Sequence, residues 1–417
     1  MITFLTRSSY LLITKYPTMA ATSVLLLLHL IPTLLLLSPT SSFILPASSH
    51  PTIPPLSAMT SSTNNLSIGP SSLRTLLQTA SKSLLQNEQG LDLQGIVWME
   101  HLNLVVGSMD VAKEFYVDFL GCTVDEGNEK HFNLGQQQFH LAANNDPPQR
   151  IIGSICLTVP SLNKIRSRAE AASAALSGTL FSIQEYDDNP NVMTVTCPYG
   201  NIFHLYDISI DDEMLNGDIN SNAQLSPHKM VNLHKEGGTY GSDRMAVRGQ
   251  PGIRAVEIAC RRGTAAKIAR FFETYLNCNV VQLHAAASED NDNDPNQSNT
   301  AIVSVGPGVQ IVFIENDGND NILATQYEEM KGVHICIYIS NFASTYRTLQ
   351  ESNLIWTNPR FTHLDTCDTW GEAYASRTFR FKDIVDENGG EVMLELEFET
   401  RPMMHGQYLK VPRYISN

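Results

Sequence analysis

Four times along the chain an apolar strand gives way at a turn to a helix with apolar positions at three- and four-residue spacing. The first instance runs from Trp98 to Gly121. Glu100 to Val106 alternates, with His101, Asn103 and Val105 on one side and Leu102, Leu104 and Val106 on the other. Gly107 breaks the strand and Asp110 is the expected N-cap. Val111, Ala112, Phe115, Tyr116, Phe119 and Leu120 then form one buried face, closed by Gly121. Short strands follow at about 122–126, 130–134 and 137–142. The second unit opens at Ile151, with Ser161 as cap and Leu162, Ile165, Ala169, Ala172 and Leu176 facing inward. Its strand Met193 to Cys197 turns at Pro198 to Asn201 and returns as Ile202 to Asp207.

The third unit is Gly252 to Cys260 with a helix capped by Thr264, then strands at Val280 to His284, Ala301 to Val305 and Gln310 to Glu315. The fourth is Val333 to Ser340, a helix capped by Asn341, and a hairpin from Thr378 to Val385 and Glu391 to Glu399. A strand–helix alternation alone suits a parallel doubly wound sheet. Here each helix is followed by short strands joined by tight turns, so the units are βαβββ with largely antiparallel pairing. Residues 209–250 carry little periodicity and many Asn, Asp, Gly and Ser, the mark of a linker. The acidic stretch Ser288 to Asn299 reads as a solvated loop; it lacks the glycine and distal Glu of an EF-hand.

The N-terminal pattern is of another kind. Val24 to Leu37 is an apolar run of 14 residues preceded by Arg7 and Lys15, shorter than the roughly 20 residues of a membrane span and interrupted by Pro32. It reads as a signal-peptide core within residues 1–45. The segment 46–95 starts rich in Ser, Thr and Pro and free of acids, like a transit peptide, and ends in a helix over Ser72 to Gln86. Such a leader resembles the bipartite plastid address of algae with complex plastids. The alternative destination is secretion or the endomembrane system. No stable membrane span is expected in the mature protein.

Charge sharpens this division. Residues 1–87 hold no Asp or Glu, so the remainder carries 24 basic residues (28 less 4) against 43 acidic, a net of −19. That excludes nucleic acid as the natural partner, since phosphate binding needs a positive footprint. The seven cysteines include no C-x-x-C pair and read as reduced, which suits a reducing compartment. No phosphate-binding glycine loop or nucleophile elbow occurs; Gly306-Pro307-Gly308 is a hairpin turn.

The lines EHLNLVVGSMDVAKEFYVDFLG, LGQQQFHLA, CPYGNIFHLYD, GVHICIYISNF and FRFKDIVDENGGEVMLELE resemble the vicinal oxygen chelate superfamily of glyoxalase I, type I extradiol dioxygenases and bleomycin-resistance proteins. The resemblance implies an α+β fold of four βαβββ modules forming two half-open eight-stranded barrels. It places one domain at 96–208 and the other at 251–400, with a tail at 401–417. It also implies a divalent metal (Fe, Zn, Mn or Ni) held by first and last strands of the modules, because side chains on the inner face of a curved sheet point at a common axis.

Carried over position by position, the N-terminal half offers His101, His140 and His204 as ligands, with Ser154 at the fourth position. The C-terminal half offers Glu257 in place of a first His, His334, and Glu395 or Glu397 on its last strand, Glu257 and Glu395 being candidates for proton transfer. Glu395, Glu397 and Glu399 share one face and can equally pair with Arg380 and Lys382 across the hairpin. The strand histidines can equally be hydrogen-bonded structure. The implied function is a metal-dependent enzyme acting on a small substrate with vicinal oxygens, by a glyoxalase-like lyase or isomerase reaction or by ring cleavage. The alternative is a small-molecule binding protein of the bleomycin-resistance type.

Overall fold

The computed structural model describes residues 69–86, 95–144, 146–207, 252–284, 299–306, 308–316, 327–386 and 390–413. The leader up to residue 68, the linker and the acidic loop lie outside the described residues. The first module comprises β1 (Ile96–Val105), helix α2 (Met109–Lys113) continuing as a wide π-type turn over Glu114–Phe119, β2 (Thr123–Asp125), β3 (Asn128–Leu134) and β4 (Gln137–Ala142). The second comprises β5 (Gly153–Val159), α3 (Leu162–Ala175), β6 (Ser182–Glu185), β7 (Val192–Thr196) and β8 (Ile202–Asp207). The third comprises β9 (Ile253–Arg261), α4 (Ala265–Leu276), β10 (Val280–His284), β11 (Asn299–Gly306) and β12 (Val309–Asn316). The fourth comprises β13 (His334–Ile339), α5 (Phe342–Glu351), α6 (Trp370–Ser376), β14 (Phe379–Val385) and β15 (Val392–Pro402). Helix α1 (Pro70–Gln86) precedes them all.

Two open mixed sheets result. Seven strands run in the order β14-β15-β13-β1-β4-β3-β2 and eight in the order β10-β11-β12-β9-β5-β8-β7-β6. The sheets do not follow the division into an N-terminal and a C-terminal half. The first joins module one to module four through antiparallel β1 and β13, and the second joins modules two and three through β5 and β9. All four opening strands carry the same dense apolar pattern, so nothing in any one of them selects its partner. The first sheet has seven strands rather than eight because the segment after α5 contributes only the single bridge Ile355 to Phe381.

Packing between the two sheets runs the other way. Phe115 of module one lies 5.3 Å (ring centroids) from Phe203 of module two, and Phe272 of module three lies 5.5 Å from Phe398 of module four. Each half of the chain therefore shares a core while its strands are divided between two sheets. The caps differ from expectation; Thr264 and Asn341 stand at their helix starts, but neither side chain makes a capping bond. Ser108, not Asp110, caps the first helix, its hydroxyl accepting from the Val111 N–H at 3.5 Å. At the second helix the Leu162 N–H is met by Asp207 Oδ2 at 2.9 Å, not by the Ser161 side chain. Among the described residues no helix is long and apolar enough to cross a membrane.

Helix α1 docks on the inner face of the second sheet. Leu73 and Leu77 are buried in a cluster with Cys156, Val192, Tyr206, Ala255, Ile302, Val312 and Ile314, and the Tyr206 hydroxyl donates to the Pro70 carbonyl at 2.9 Å. This is the face that carries His204 and Glu257. Leu73→Ala removes a fully buried isobutyl group and is expected to cost about 2–4 kcal/mol of docking. Because the sheets form without α1, the loss should appear as faster amide exchange in residues 70–79, with little change in the global unfolding midpoint.

Candidate metal centre

Strand alternation puts His101 of β1, His334 and Cys336 of β13, and Glu397 and Glu399 of β15 on one face of the first sheet. The register sets Cys336 opposite both His101 and Glu399, with His334 one step away opposite Glu397. His101 and Glu399 stand two strands apart, roughly 9.6 Å of backbone at about 4.8 Å per strand. The inward curl of the sheet nevertheless brings His101 Nε2 to 3.9 Å and His334 Nε2 to 3.6 Å from Glu399 Oε2. The three residues form a buried two-imidazole, one-carboxylate group, and their ligand atoms all lie within 4.8 Å of one another. Module one supplies one member and module four the other two.

The surroundings fix the tautomer. Glu100 sits at a register shift in β1 and reaches back to His101, its Oε1 accepting from Nδ1 at 3.2 Å. His101 Nε2 is turned toward Glu399, and this buried nitrogen has no hydrogen-bond partner among the described residues. A carboxylate behind one ring nitrogen with the other left open is the usual outer arrangement of a metal-binding histidine. Glu100 is itself held by the Tyr338 hydroxyl at 2.6 Å and by Arg401 Nη1 at 2.9 Å. Burial alone would raise its carboxyl, but His101, Arg401 and Tyr338 together hold it below the usual range.

Two guanidinium groups hold Glu399, Arg401 on the oxygen turned from the imidazoles and Arg380 on the same Oε2 that the imidazoles face. Arg380 Nη2 lies 3.1 Å from its Oε2, and Arg401 contacts its Oε1. Against the effect of burial, the Arg401 and Arg380 charges hold this carboxyl well below the ordinary range, so it is ionised. Arg380 also binds Glu397 Oε1 at 2.8 Å and Asp365 Oδ1 at 3.0 Å, and Asn358 donates to both Glu397 oxygens at 3.0 and 2.8 Å. Burial pushes the Glu397 carboxyl up. Phe361 packs edge-on to His334 at 5.6 Å, with Arg380 over its ring at 4.7 Å.

A divalent ion fits this donor set. Ligands about 2.1 Å from a shared ion at 90–110° stand roughly 3.0–3.4 Å apart, so the 3.6 and 3.9 Å from Glu399 to the imidazoles, and a third separation within 4.8 Å, call for a modest closure. Charge favours it too. Glu100, Glu397, Glu399 and Asp365 face Arg380 and Arg401, with Arg360 near Glu397 and His334, four carboxylates against three guanidiniums, an excess of one. Two imidazoles and a carboxylate are the donor set of non-haem Fe(II) oxygenases and also suit Zn, Mn and Ni.

The profile of the Glyoxalase/Bleomycin resistance protein/Dioxygenase superfamily matches residues 98–203. Residues 98–203 belong to that superfamily. This glyoxalase/dioxygenase domain carries His101, one of the three grouped ligands. No curated protein matches the sequence. Among solved structures the chain is similar to glyoxalase I from Zea mays, with 12% identity over 73% of this chain and 92% of that one and a TM-score of 0.39. It is also similar to the 2,3-dioxygenase LapB from Pseudomonas sp. KL28, with 11% identity over 78% and 98% and a TM-score of 0.25. A triple mutant of 4-hydroxymandelate synthase from Streptomyces coelicolor is a third, with 14% identity over 73% and 93% and a TM-score of 0.26.

Within the glyoxalase/dioxygenase domain and its C-terminal counterpart, the sequence-derived candidates are regrouped. His101 and His334 meet, although they come from opposite halves. His140 lies face to face with His101 at 3.6 Å, its Nε2 bonded to Gln138 Oε1 at 2.9 Å, so it buttresses the ring. His131 stacks on His140 in turn at 3.5 Å. His204 and Glu257 lie on the second sheet, bonded to Thr194 Oγ1 at 2.8 Å and Ser154 Oγ at 2.5 Å respectively. Glu395 sits at the rim, paired with Lys382 across the hairpin at 3.1 Å. Glu397 flanks the group and Glu399 occupies it; the shared face was legible, but the choice among three glutamates was not. Glu100 and Arg401 had no distinguishing signal, since one sits at a strand irregularity and the other at the assigned start of the tail.

The histidine stack makes the fold acid-labile. Burial lowers His140 and His334 well below 6.5 and brings His131 to about 4. Between pH 6.5 and those values the unfolded chain binds protons that the folded chain refuses. Stability is therefore full above about pH 6.5 and falls as pH drops, by about 1.4 kcal/mol per unit for each such buried histidine. Below 4.5 the loss of Glu100 and Glu399 pairing adds to it. Urea midpoints measured from pH 8 to pH 4.5 should decline steadily from about 6.5 downward; a flat profile contradicts the lowering of His131, His140 and His334.

Proposed function

We propose that the protein is a metal-dependent enzyme of the vicinal oxygen chelate type, with a single working cup in the first sheet. His101, His334 and Glu399 would hold the ion there. The observation that carries this reading is the open, partnerless Nε2 of a buried His101 whose other nitrogen is committed to Glu100. Burial of the second sheet's inner face under α1 supports the choice of cup.

Bound at this group, a divalent ion supplies Lewis acidity toward two adjacent oxygens of a small substrate. The chain's own residues do the rest. Glu100 retains the proton at His101 Nδ1 and fixes the ring. His140 prevents that ring from tilting. Arg380 and Arg401 keep Glu399 ionised. Glu397, raised by burial and beside the group, is the carboxyl suited to take and return a proton. Localisation to a plastid belongs to the same proposal, resting on the leader sequence.

The two guanidiniums on Glu399 favour a second reading, a binding protein whose cup is neutralised from within. One assay separates the two. Protein loaded in turn with Fe(II), Mn(II), Zn(II) or Ni(II) is screened against catechols and α-ketoaldehyde hemithioacetals. Turnover that His101→Ala abolishes supports the enzyme; tight ligand binding without turnover under every metal supports the binding protein.

A further inference from the structure

The chain beyond β15 does not leave the first sheet. Residues 403–413 return across the face that carries His101. Arg401, at the end of β15, donates from Nη1 to Gln407 Oε1 at 3.1 Å. The Tyr408 ring lies 4.8 Å from that of Tyr338, whose hydroxyl holds Glu100. At the opposite edge Arg413 closes on Asp125, with Nε 3.0 Å from Oδ1 and its backbone N–H 2.7 Å from Oδ2. The Arg413 carbonyl accepts from Asn133 Nδ2 at 2.9 Å and from the Glu126 N–H at 3.2 Å. A Cβ at Gly127 would run into the Arg413 guanidinium, so a glycine is what lets the strap lie down.

From β15 to β2 is five strand spacings, about 24 Å at roughly 4.8 Å each. Eleven residues reach about 36 Å when extended. The strap therefore spans the mouth of the cup, one register step beyond the row of His101 and Glu399. The loop holding Asn358 and Phe361 lies at the other end of the cup.

We infer that Arg401 is a built-in competitor for the cation at Glu399 and that the C-terminal strap latches it in place. This rests on the metal reading above. With the strap down, Arg401 bridges Glu399, Glu100 and Gln407 and cannot turn away. Both oxygens of Glu399 are then engaged by guanidinium, Oε1 by Arg401 and Oε2 by Arg380, so an entering ion at Oε2 meets a carboxylate whose charge is already neutralised. With the strap lifted, Gln407 leaves and water reaches the Arg401 head group, which can swing out, uncover Oε1 and return negative charge to the carboxylate that meets the ion at Oε2. Arg401 is thus a positioning residue that sets how readily the cup takes its metal.

The test is Mn(II) titration calorimetry on metal-stripped full-length protein, beside amide exchange of residues 403–413. Four proteins are compared: the parent, Arg413→Ala, Arg401→Gln and the double variant. Arg413 is half exposed, so Arg413→Ala removes its side-chain bonds to Asp125 and loosens the strap without removing core, while the backbone bonds of residue 413 remain. Arg413→Ala is expected to speed exchange in the strap and to tighten Mn(II) about tenfold, the weight of one buried charge pair. Arg401→Gln should tighten it at least as much, and the double variant no further. Faster exchange in Arg413→Ala with unchanged Mn(II) affinity overturns the latch, as does weaker binding in Arg401→Gln. In either case the metal reading stands. Absence of Mn(II) uptake in all four proteins removes the metal reading and the latch with it.

Discussion

Arg380→Met is expected to lower the unfolding free energy by about 3–5 kcal/mol, a loss typical of breaking a buried ion-pair network from one side. The side chain is 3% exposed and serves Glu397, Glu399 and Asp365 at once. Methionine fills similar volume, so little of the effect comes from a cavity. The cost comes from leaving Glu397 and Glu399 in a dry interior with one cation fewer. Two companions test that cause. Glu397→Gln in the Arg380→Met background should recover part of the loss, because it removes a charge that has become uncompensated. Saturating Mn(II) should stabilise Arg380→Met more than the parent, since the ion replaces the missing charge. Urea unfolding of the parent and Arg380→Met, each with and without Mn(II), and of the double variant measures all of this. A loss below about 1 kcal/mol would mean that the cluster is solvated like a surface pair.

His101→Ala and His334→Ala are each expected to weaken divalent-metal binding by about 100-fold or more, beyond the 10–100-fold typical of an outer-shell partner. Glu100→Gln, acting only through the His101 tautomer, should fall within that lower range. His204→Ala and Glu257→Gln should leave affinity unchanged, because their sheet is covered by α1 and neither residue approaches the group. The equality of the first two losses matters most. The residues lie 233 positions apart and come from different halves, and the register of β1 on β13 alone brings them together. Calorimetric titration of each variant checks the pattern. A cup built from the N-terminal half alone predicts instead that His204→Ala is as damaging as His101→Ala.

Much of the architecture was legible in the chain. The alternation of Glu100 to Val106 and the spacing of Val111, Phe115 and Phe119 specify a strand and helix whatever surrounds them, and the fourfold recurrence specifies the modules. Pairing of modules was not legible, because β1, β5, β9 and β13 present the same apolar texture and choose partners through the whole core. The site suffered accordingly. His101 and His334 were both recognisable as inward-facing strand residues, yet they were assigned to different cups. His140 occupied a ligand position in sequence, but its Nε2 is already bound to Gln138, a contact only coordinates disclose. Helix α6 was missed, although Thr369 and Glu372 spell a capping box that the structure forms. Glu100 reaches His101 only because β1 carries a register shift, and strict alternation hides such a shift.

The most direct measurement is the metal content of stripped protein after loading with Mn(II) and desalting, for the parent and for His334→Ala. A cup shared by modules one and four predicts about one ion per chain in the parent, as one facial donor set requires, and almost none in the variant. Two ions per parent chain, or a full complement retained without His334, would contradict it.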